Sequence, residues 1–423
     1  MLRNCCLQHP PLRTYNPARY DSLPDVFLRR FNQAERSPTF IEVRLKRKLV
    51  TAVFTAVIPW FFTSCADSAS STVIKIGCAG PLTGDQAQIG SDMCQGARFA
   101  VDRANAAGRG LSGYTLEFVP LDDQHNPSQA VNVANRFAAD PDVMGVIGHF
   151  NSSCTKPASA VYEASSLVHV TPGSTNPDLS KQGYATFFRV VATDEVQGPK
   201  GAEYAAGKLG AKRVFIIDDK TTYGKGLADQ FEKRARQLNL EILGHEGITQ
   251  GDKDFTPLLT RIKPLNPDAI YFGGIYPEGA LLLRQARGLD IGCIFIGGDG
   301  IATPLLAELS TPEIAEGVYA TMVGGDIKAD PQAQDFVAGY EARYGPVGQW
   351  TSFAFDSANI LIAALEKAGR KDRGAVLEAM RQIPEFRGVT GKISFDERGD
   401  NKNQSIGIFR ITDGRLAYVE PAQ

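Results

Sequence analysis

Residues 143–159 read VMGVIGHFNSSCTKPAS, and this stretch decides the fold. Its first five residues, Val143 to Ile147, form a continuous apolar run, which is typical of a strand covered on both faces of a parallel sheet. A turn of glycine and small polar residues follows, and helical periodicity runs from Thr155 to Ala164. A strand, a small-residue turn and a helix in this order predict one unit of an α/β sheet.

The same alternation extends along the chain in two series. In the first series, strand-like runs cover 74–79, 116–121, 143–147 and 167–170, with helical patterns at 91–107, 127–139 and 155–164. In the second, strand-like runs cover 214–217, 241–244, 269–272 and 293–296, with helical patterns at 224–238, 255–263 and 277–287. Two series predict an α/β fold of two doubly wound, Rossmann-like lobes with parallel sheets.

Composition limits the class of protein. The chain has 423 residues, of which 43% are hydrophobic and 22% charged. These values exclude a wholly disordered chain, a coiled coil and a small disulfide scaffold, and the length predicts two or more domains. Residues 1–48 carry ten Lys and Arg against four Asp and Glu, whereas the remainder carries 35 against 43. An acidic body without a basic stripe argues against nucleic acid as a partner.

The N-terminal region has the pattern of an export signal. A basic group ending at Lys48 precedes the uncharged segment 49–62, which is too short for a membrane span. Small residues then lead to Cys65, which resembles the acylated cysteine of a bacterial lipobox. We therefore predict a signal peptide over 43–65, lipidation of Cys65 and a tether over 66–72. Ordinary signal-peptidase cleavage near residues 64–69 is the alternative.

The first 42 residues do not fit a secretory signal, because its basic region is normally short. We interpret them as an upstream extension of a chain whose translation begins at Val43 or Leu45. A disordered extension and a targeting segment are the alternatives.

Four cysteines follow the predicted signal: Cys78, Cys94, Cys154 and Cys293. None forms a C-x-x-C pair, which argues against a zinc site. Cys78 and Cys293 lie in apolar strand-like runs, where the simplest interpretation is a small buried apolar side chain. A single disulfide among these four cysteines is possible outside the cytoplasm, but their spacing does not show which two would form it.

Small and polar residues cluster where the predicted strands end, which is where ligands bind in open α/β sheets. They are Phe150, Asn151 and Ser152 after the third strand, Gly173, Ser174 and Thr175 after the fourth, and Tyr223, Ile275, Tyr276 and Asp299 in the second series. Helix starts of this kind expose N–H groups to an anion, and Asp299 supplies the opposite charge. The pattern predicts a cleft that holds a zwitterion. Helix capping by Ser152, local packing by Tyr223 and a turn at Asp299 are the structural alternatives.

An ordered set of segments resembles the leucine/isoleucine/valine-binding proteins. The set includes IKIGCAGPLTGDQAQIG, VIGHFNSSCTKPAS, TPGSTNPDLS, GYATFFRVVATDEVQGP, DDKTTYGKGLADQF, YFGGIYPEGALLLRQAR, GGDGI and GKISFDERGD, and spans residues 74–409. The resemblance implies a periplasmic, type I solute-binding protein with two lobes joined by three crossovers. It implies a first lobe of 73–193 plus 325–392 and a second of 194–324 plus 393–423.

The resemblance also assigns roles in a ligand cleft. Ser152, Gly173 and Thr175 match the cradle for an α-carboxylate and an α-ammonium group. Asp299 stands where leucine-type proteins have Glu, which keeps the charge but shortens its reach. Tyr223 matches a wall tyrosine of the second lobe.

The apolar end of the cleft departs from the family pattern. Phe150 and Phe353 are expected to line it, whereas Ile89 and Ile275 stand where aromatic residues are common, with Tyr276 beside the latter. His125 and Asn151 replace two cysteines that form a disulfide in some relatives. These changes predict an apolar but reshaped pocket.

The implied function is delivery of a small α-amino acid, aliphatic or otherwise uncharged, to an ABC permease. The expected protein is a monomer without catalysis, cofactor or metal, and the sequence has no G-x-S-x-G, H-E-x-x-H or P-loop motif. The alternatives are a short amide, urea-like or aromatic acid ligand, a ligand sensor, and an amidohydrolase.

Overall fold

A five-stranded parallel sheet organises the first half of the chain in the computed structural model, which describes residues 72–422. The strand order is β2-β1-β3-β4-β5. The strands are β1 Val73–Gly80, β2 Thr115–Asp122, β3 Val143–Gly148, β4 His169–Thr171 and β5 Phe187–Arg189. Every neighbouring pair is parallel, as the apolar runs predict.

A seven-stranded sheet of order β14-β13-β10-β9-β8-β6-β7 organises the second half. Its strands are β6 Arg213–Asp218, β7 Glu241–Gly247, β8 Ala269–Gly273, β9 Ile294–Gly297, β10 Tyr319–Val323, β13 Ile406–Thr412 and β14 Arg415–Pro421. Strands β11 Phe386–Gly388 and β12 Gly391–Ile393 form a separate hairpin.

The prediction of parallel sheets holds for the first sheet, whereas the second sheet is mixed: β13 pairs antiparallel with β10, and β14 pairs antiparallel with β13. Their connection is the dipeptide Asp413-Gly414, with φ angles of 50° and 70°. Positive φ at both positions is the geometry of the tight hairpin turn that Asp-Gly favours. The chain therefore reverses between these strands without a crossover helix.

Helices cover both sheets. They are α1 Ala87–Ala106, α2 Pro127–Ala139, α3 Ser152–Ala164, α4 Asp178–Lys181, α5 Asp194–Gly207, α6 Thr222–Gln237, α7 Thr256–Ile262, α8 Tyr276–Gly288, α9 Pro304–Ser310, α10 Pro312–Ala315, α11 Gln334–Tyr344, α12 Thr351–Ala368 and α13 Arg373–Arg381. Helix α2 has the predicted bounds, because Asn126 caps it by accepting from the N–H groups of Ser128 and Gln129 and Pro127 begins it.

The chain passes between the two halves three times. It leaves the first sheet after β5, returns after β10 and leaves again after β12. Helix α12 packs against α1 and β3 of the first half, whereas α5 packs against α6 and β10 of the second. The prediction of two α/β lobes joined by three crossovers is confirmed, and the lobe boundaries at 193, 324 and 392 stay a prediction.

A disulfide joins Cys78 of β1 to Cys94 of α1. The interpretation of Cys78 as a simple buried apolar side chain is therefore wrong, although the residue is fully buried. Cys154 and Cys293 are free thiols, the first buried and the second part-buried. The bond ties the first strand of the sheet to the helix that covers it.

Arg189, at the end of β5, is fully buried at the first crossover. Its Nε donates to Asp400 Oδ1 at 2.6 Å, and its Nη1 donates to the carbonyl oxygen of Asn176 at 2.8 Å. Its Nη2 donates to Ser180 Oγ at 3.1 Å, and that hydroxyl donates to Asp400 Oδ2. One guanidinium thus ties the loop after β4 to the segment that precedes β13.

Arg189→Met should lower the free energy of unfolding by about 3–5 kcal/mol, because it leaves Asp400 without its cation and two carbonyls without a donor. Urea unfolding followed by circular dichroism measures the change. Arg381→Met, at an exposed arginine of α13, is the matched control and should change stability by no more than about 0.5 kcal/mol. Equal effects from the two substitutions would contradict this role for Arg189.

Candidate functional site

The N-terminus of α3 faces the end of the first sheet without a side-chain cap. Asn151 occupies the N-cap position, but its Nδ2 donates to Gln86 Oε1 at 3.0 Å instead of folding back on the helix. Ser152, the first helical residue, is buried. The first N–H groups of a helix have no partner within the helix and carry its positive dipole end, so this terminus suits a carboxylate.

The loop after β4 lies against this helix start. The hydroxyl of Ser174 donates to the Phe150 carbonyl at 2.9 Å and lies 2.6 Å from Thr155 Oγ1, so it holds the loop in place. Thr175 is fully buried, and its Oγ1 has no hydrogen-bond partner among the described residues. The loop thus brings together one structural hydroxyl and one hydroxyl that is free for a ligand.

A series of buried hydrogen bonds centred on His149 holds the same loops in place. His149 Nδ1 lies 2.7 Å from Asp123 Oδ2, and its Nε2 lies 3.0 Å from the hydroxyl of Tyr162, with all three residues fully buried. The His149 carbonyl accepts from the hydroxyl of Thr171 at 2.7 Å. His149 is therefore a satisfied structural histidine that fixes the residues before Ser152.

The second lobe supplies an acidic group. Tyr223 donates from its hydroxyl to Asp299 Oδ1 at 2.6 Å and accepts from the N–H of Gly300 at 2.8 Å. Asp299 is buried, and its Oδ2 has no partner. Burial raises the pKa of Asp299 to about 6, and the Tyr223 hydrogen bond opposes that rise. The short turn that carries Asp299 is thus packed inside the protein.

A second acid in the same place does not figure among the site residues predicted from the sequence. Asp194 begins α5, is fully buried, and donates its backbone N–H to the Thr175 carbonyl at 3.0 Å. Neither of its carboxylate oxygens has a partner. Burial, followed by the nearby charge of Asp299, raises its pKa to about 8. An acid in the first turn of a helix has an ordinary structural explanation, so the sequence offers no signal that separates Asp194 from such residues.

Aromatic residues close the apolar side. Phe150 packs edge-on against Trp350 with ring centroids 5.2 Å apart, and Trp350 lies 6.0 Å from Phe353. A Cβ on Gly173 would lie 2.5 Å from the Phe150 ring, so the glycine makes room for this phenylalanine. Phe353 also lines a cavity of about 400 Å³ beside Gln349. Gln349 donates to the Asp299 carbonyl at 3.1 Å, which connects the cavity to the acidic group.

The remaining predicted residues are Ile89, Ile275 and Tyr276. Ile89 and Ile275 are buried, on α1 and at the start of α8 respectively. Tyr276 donates from its hydroxyl to the carbonyl of Asp85 in the opposite lobe. No described contact joins Ile275 directly to Asp299, so the structure leaves its role as a wall residue a prediction.

His125 and Asn151 are joined through Gln86. The Nε2 of Gln86 bonds His125 Nδ1, and Gln250 of the second lobe lies 2.9 Å from the same nitrogen. Burial lowers the pKa of His125 to about 4, so the ring is neutral at neutral pH and its Nδ1 can accept from the amide groups of Gln86 and Gln250. The His125 side chain thus contacts residues of both lobes.

The depressed pKa of His125 predicts a loss of stability in acid. Between pH 6.5 and 4 the unfolded chain binds a proton that the folded chain rejects, so stability falls as the pH falls through this window. His125→Gln should remove about 2 kcal/mol of that dependence. Urea unfolding of both proteins at pH 7 and pH 4.5 measures the difference. An unchanged difference would show that His125 does not titrate in this way.

Within residues 72–422, the structure contains no group of three potential metal-ligating side chains. No helix of the same range is both long and apolar enough to cross a membrane. Cys65 and the predicted signal segment lie outside the described residues.

Comparison with known proteins identifies the family. A sequence profile of periplasmic binding proteins matches residues 73–415. The chain is 34% identical over 343 residues to the leucine-, isoleucine-, valine-, threonine- and alanine-binding protein of Pseudomonas aeruginosa, covering 81% of this chain and 91% of the relative. The chain therefore belongs to the periplasmic binding protein family, which implies an extracytoplasmic location.

Two solved structures extend the similarity to the fold. A leucine-binding protein from Thermotoga maritima has a TM-score of 0.77 and 32% identity, covering 82% of this chain and 98% of that one. A branched-chain amino acid transporter substrate-binding protein from Streptococcus pneumoniae, in complex with isoleucine, has a TM-score of 0.76 and 29% identity, covering 82% and 100%. The resemblance drawn from the quoted segments is thereby confirmed.

Proposed function

We propose that this protein is the solute-binding component of an ABC importer and that it binds a small, uncharged α-amino acid between its two lobes. One observation carries the proposal. The uncapped start of α3 lies beside Thr175, and unpartnered oxygens of Thr175, Asp194 and Asp299 are buried nearby. An anion site beside a cation site matches the two charged groups of an α-amino acid.

Each charged group of the ligand has its own partners. The carboxylate binds the first N–H groups of α3 and the hydroxyl of Ser152, where the helix dipole favours negative charge. The ammonium binds Thr175 Oγ1 and the carboxylate of Asp299, with Asp194 on the same side. Tyr223 holds Asp299 in position, because its hydroxyl contacts both the carboxylate and the following N–H.

The ligand side chain occupies the apolar end, beside Phe150 and Phe353. This end has aromatic walls formed by Phe150, Trp350 and Phe353. It therefore favours an aliphatic or small aromatic side chain over a charged one. Relatives named for leucine, isoleucine and valine support this class of ligand.

The proposed protein binds and releases its ligand without chemical change and works as a monomer with a membrane permease. Calorimetric titration against a panel of amino acids, short amides and benzoate identifies the ligand, and product analysis of the same mixtures tests for turnover. Saturable binding of an amino acid without a product supports the proposal. Binding of benzoate or an amide alone, or release of a product, would overturn it.

Asp299→Ala should weaken binding of the best amino acid by about 2–5 kcal/mol, because the ammonium loses a desolvated charge partner. Ser152→Ala should cost about 1–2 kcal/mol, since a hydroxyl bonded to a charged group is removed. Titration calorimetry measures both changes.

Asp229→Ala is the matched control, because Asp229 is an exposed acid of the same lobe that pairs with Lys225 on α6. It should leave affinity unchanged. Circular dichroism of the apo proteins checks that each variant folds. Wild-type affinity in folded Asp299→Ala would show that no ammonium binds at this carboxylate.

Anchoring at Cys65 is part of the same proposal. The family is extracytoplasmic, and a lipid on this cysteine would hold the protein near the permease. Mass spectrometry of the mature protein from its native membrane should detect an N-terminal, acylated Cys65. A mature chain that begins at Ala66 or later without lipid would reject anchoring and leave export intact.

A further inference from the structure

Asp194 and Asp299 form a buried acidic pair without a cation of its own. Asp194 is fully buried and Asp299 is 3% exposed. Three of their four carboxylate oxygens have no partner within hydrogen-bond distance, and the fourth accepts from the hydroxyl of Tyr223. The side chains of Thr175 and Gln197 lie beside Asp194 and Asp299 respectively and lower their pKa values, but they are neutral and supply no counter-charge. In residues 72–422, neither carboxylate forms an ion pair.

The groups around the pair do not neutralise it. Arg189 is the cation that acts on Asp194, but its guanidinium is already bonded to Asp400, to Ser180 and to loop carbonyls. Glu195, the next residue on α5, adds negative charge. From α6 and β8 the pair is faced by the hydroxyls of Tyr223 and Tyr271, which stay neutral because burial raises both pKa values.

The charge of Asp299 acts on Asp194, and both groups are buried. Two such carboxylates do not both ionise without a counter-ion, because desolvation and mutual repulsion favour the neutral form of one. The ligand-free pair therefore holds a proton. Burial raises the pKa of both carboxyl groups, to about 8 for Asp194 and about 6 for Asp299, which agrees with one proton shared by the pair at neutral pH. The pair titrates as a unit.

We infer that ligand binding is coupled to proton release: the ligand's ammonium replaces the proton that Asp194 shares with Asp299. This inference rests on the proposed amino-acid site and adds its pH dependence. The ligand enters with its ammonium intact, the carboxyl O–H bond of Asp194 breaks, and the proton passes to the solvent buffer. The bound state then holds one ammonium between two carboxylates, with the Thr175 hydroxyl as a further acceptor.

The test is calorimetric titration with L-leucine and L-isoleucine at pH 7 in two buffers of different ionisation enthalpy. The difference in binding heat gives the number of protons released. We expect close to one proton per ligand at pH 7, falling toward zero above pH 9, where the pair is already ionised. Linkage then requires the Kd to fall about tenfold per pH unit between pH 6.5 and 7.5.

Asp194→Asn keeps the shape and one oxygen acceptor but cannot ionise. It should abolish proton release and leave a Kd that is independent of pH between 6.5 and 7.5. The matched control is Asp219→Asn, at a second buried acid of the same lobe whose pKa is raised to about 7 and which is coupled to Glu278 and Asp218 instead. This control should release the same proton as the wild type.

Each outcome separates the two proposals. Binding that releases less than about 0.2 proton at pH 7 in the wild type overturns the coupling and leaves the amino-acid site standing. Loss of release in Asp219→Asn but not in Asp194→Asn assigns the proton elsewhere and also overturns it. Absence of binding to any amino acid of the panel overturns the proposed function, and the coupling with it. If Asp194→Asn does not fold, the pH dependence of binding in the wild type tests the coupling alone. A wild-type Kd that does not change between pH 6.5 and 7.5 then overturns it.

Discussion

The buried guanidinium of Arg189 is the interaction on which the rest of the structure depends. A charge in this position is costly unless each donor is matched, and here a carboxylate, two carbonyls and a hydroxyl match it. Those partners belong to the loop after β4 and to the last crossover. The geometry of the ligand-side loop and the connection between the lobes are therefore set by the same group.

The candidate site has the opposite character, because its polar groups are left unmatched. Thr175 is held by its backbone while its hydroxyl stays free, and Asp194 and Asp299 lie on elements fixed by the second sheet. Unpartnered buried polar groups lower the stability of the empty protein. A ligand that satisfies them recovers that free energy on binding, so the rigid supports and the incomplete site work together.

The sequence predicts the helices and strands better than the contacts that their side chains make in the folded protein. The bounds of α2 follow from Asn126 and Pro127, and the carboxyl ends of the strands locate Ser152 and Thr175, because these signals are local. Asp194 and the Cys78–Cys94 bond depend on groups that meet only in the folded chain. The role of Ser174 is of the same kind, since its hydroxyl bonds carbonyls about 25 positions earlier in the chain. The antiparallel β13–β14 pair is different, because its turn, Asp413-Gly414, is a local signal that the sequence itself contains.

The disulfide between β1 and α1 makes the stability of the protein depend on the compartment in which it is found. Cysteine pairs of this kind persist in oxidising compartments and stay reduced in the cytoplasm. A newly made precursor therefore lacks a cross-link that contributes about 3 kcal/mol in a loop of this size. The first strand and its helix are less firmly joined before translocation than after it. The reduced chain is thus easier to unfold than the mature, cross-linked protein.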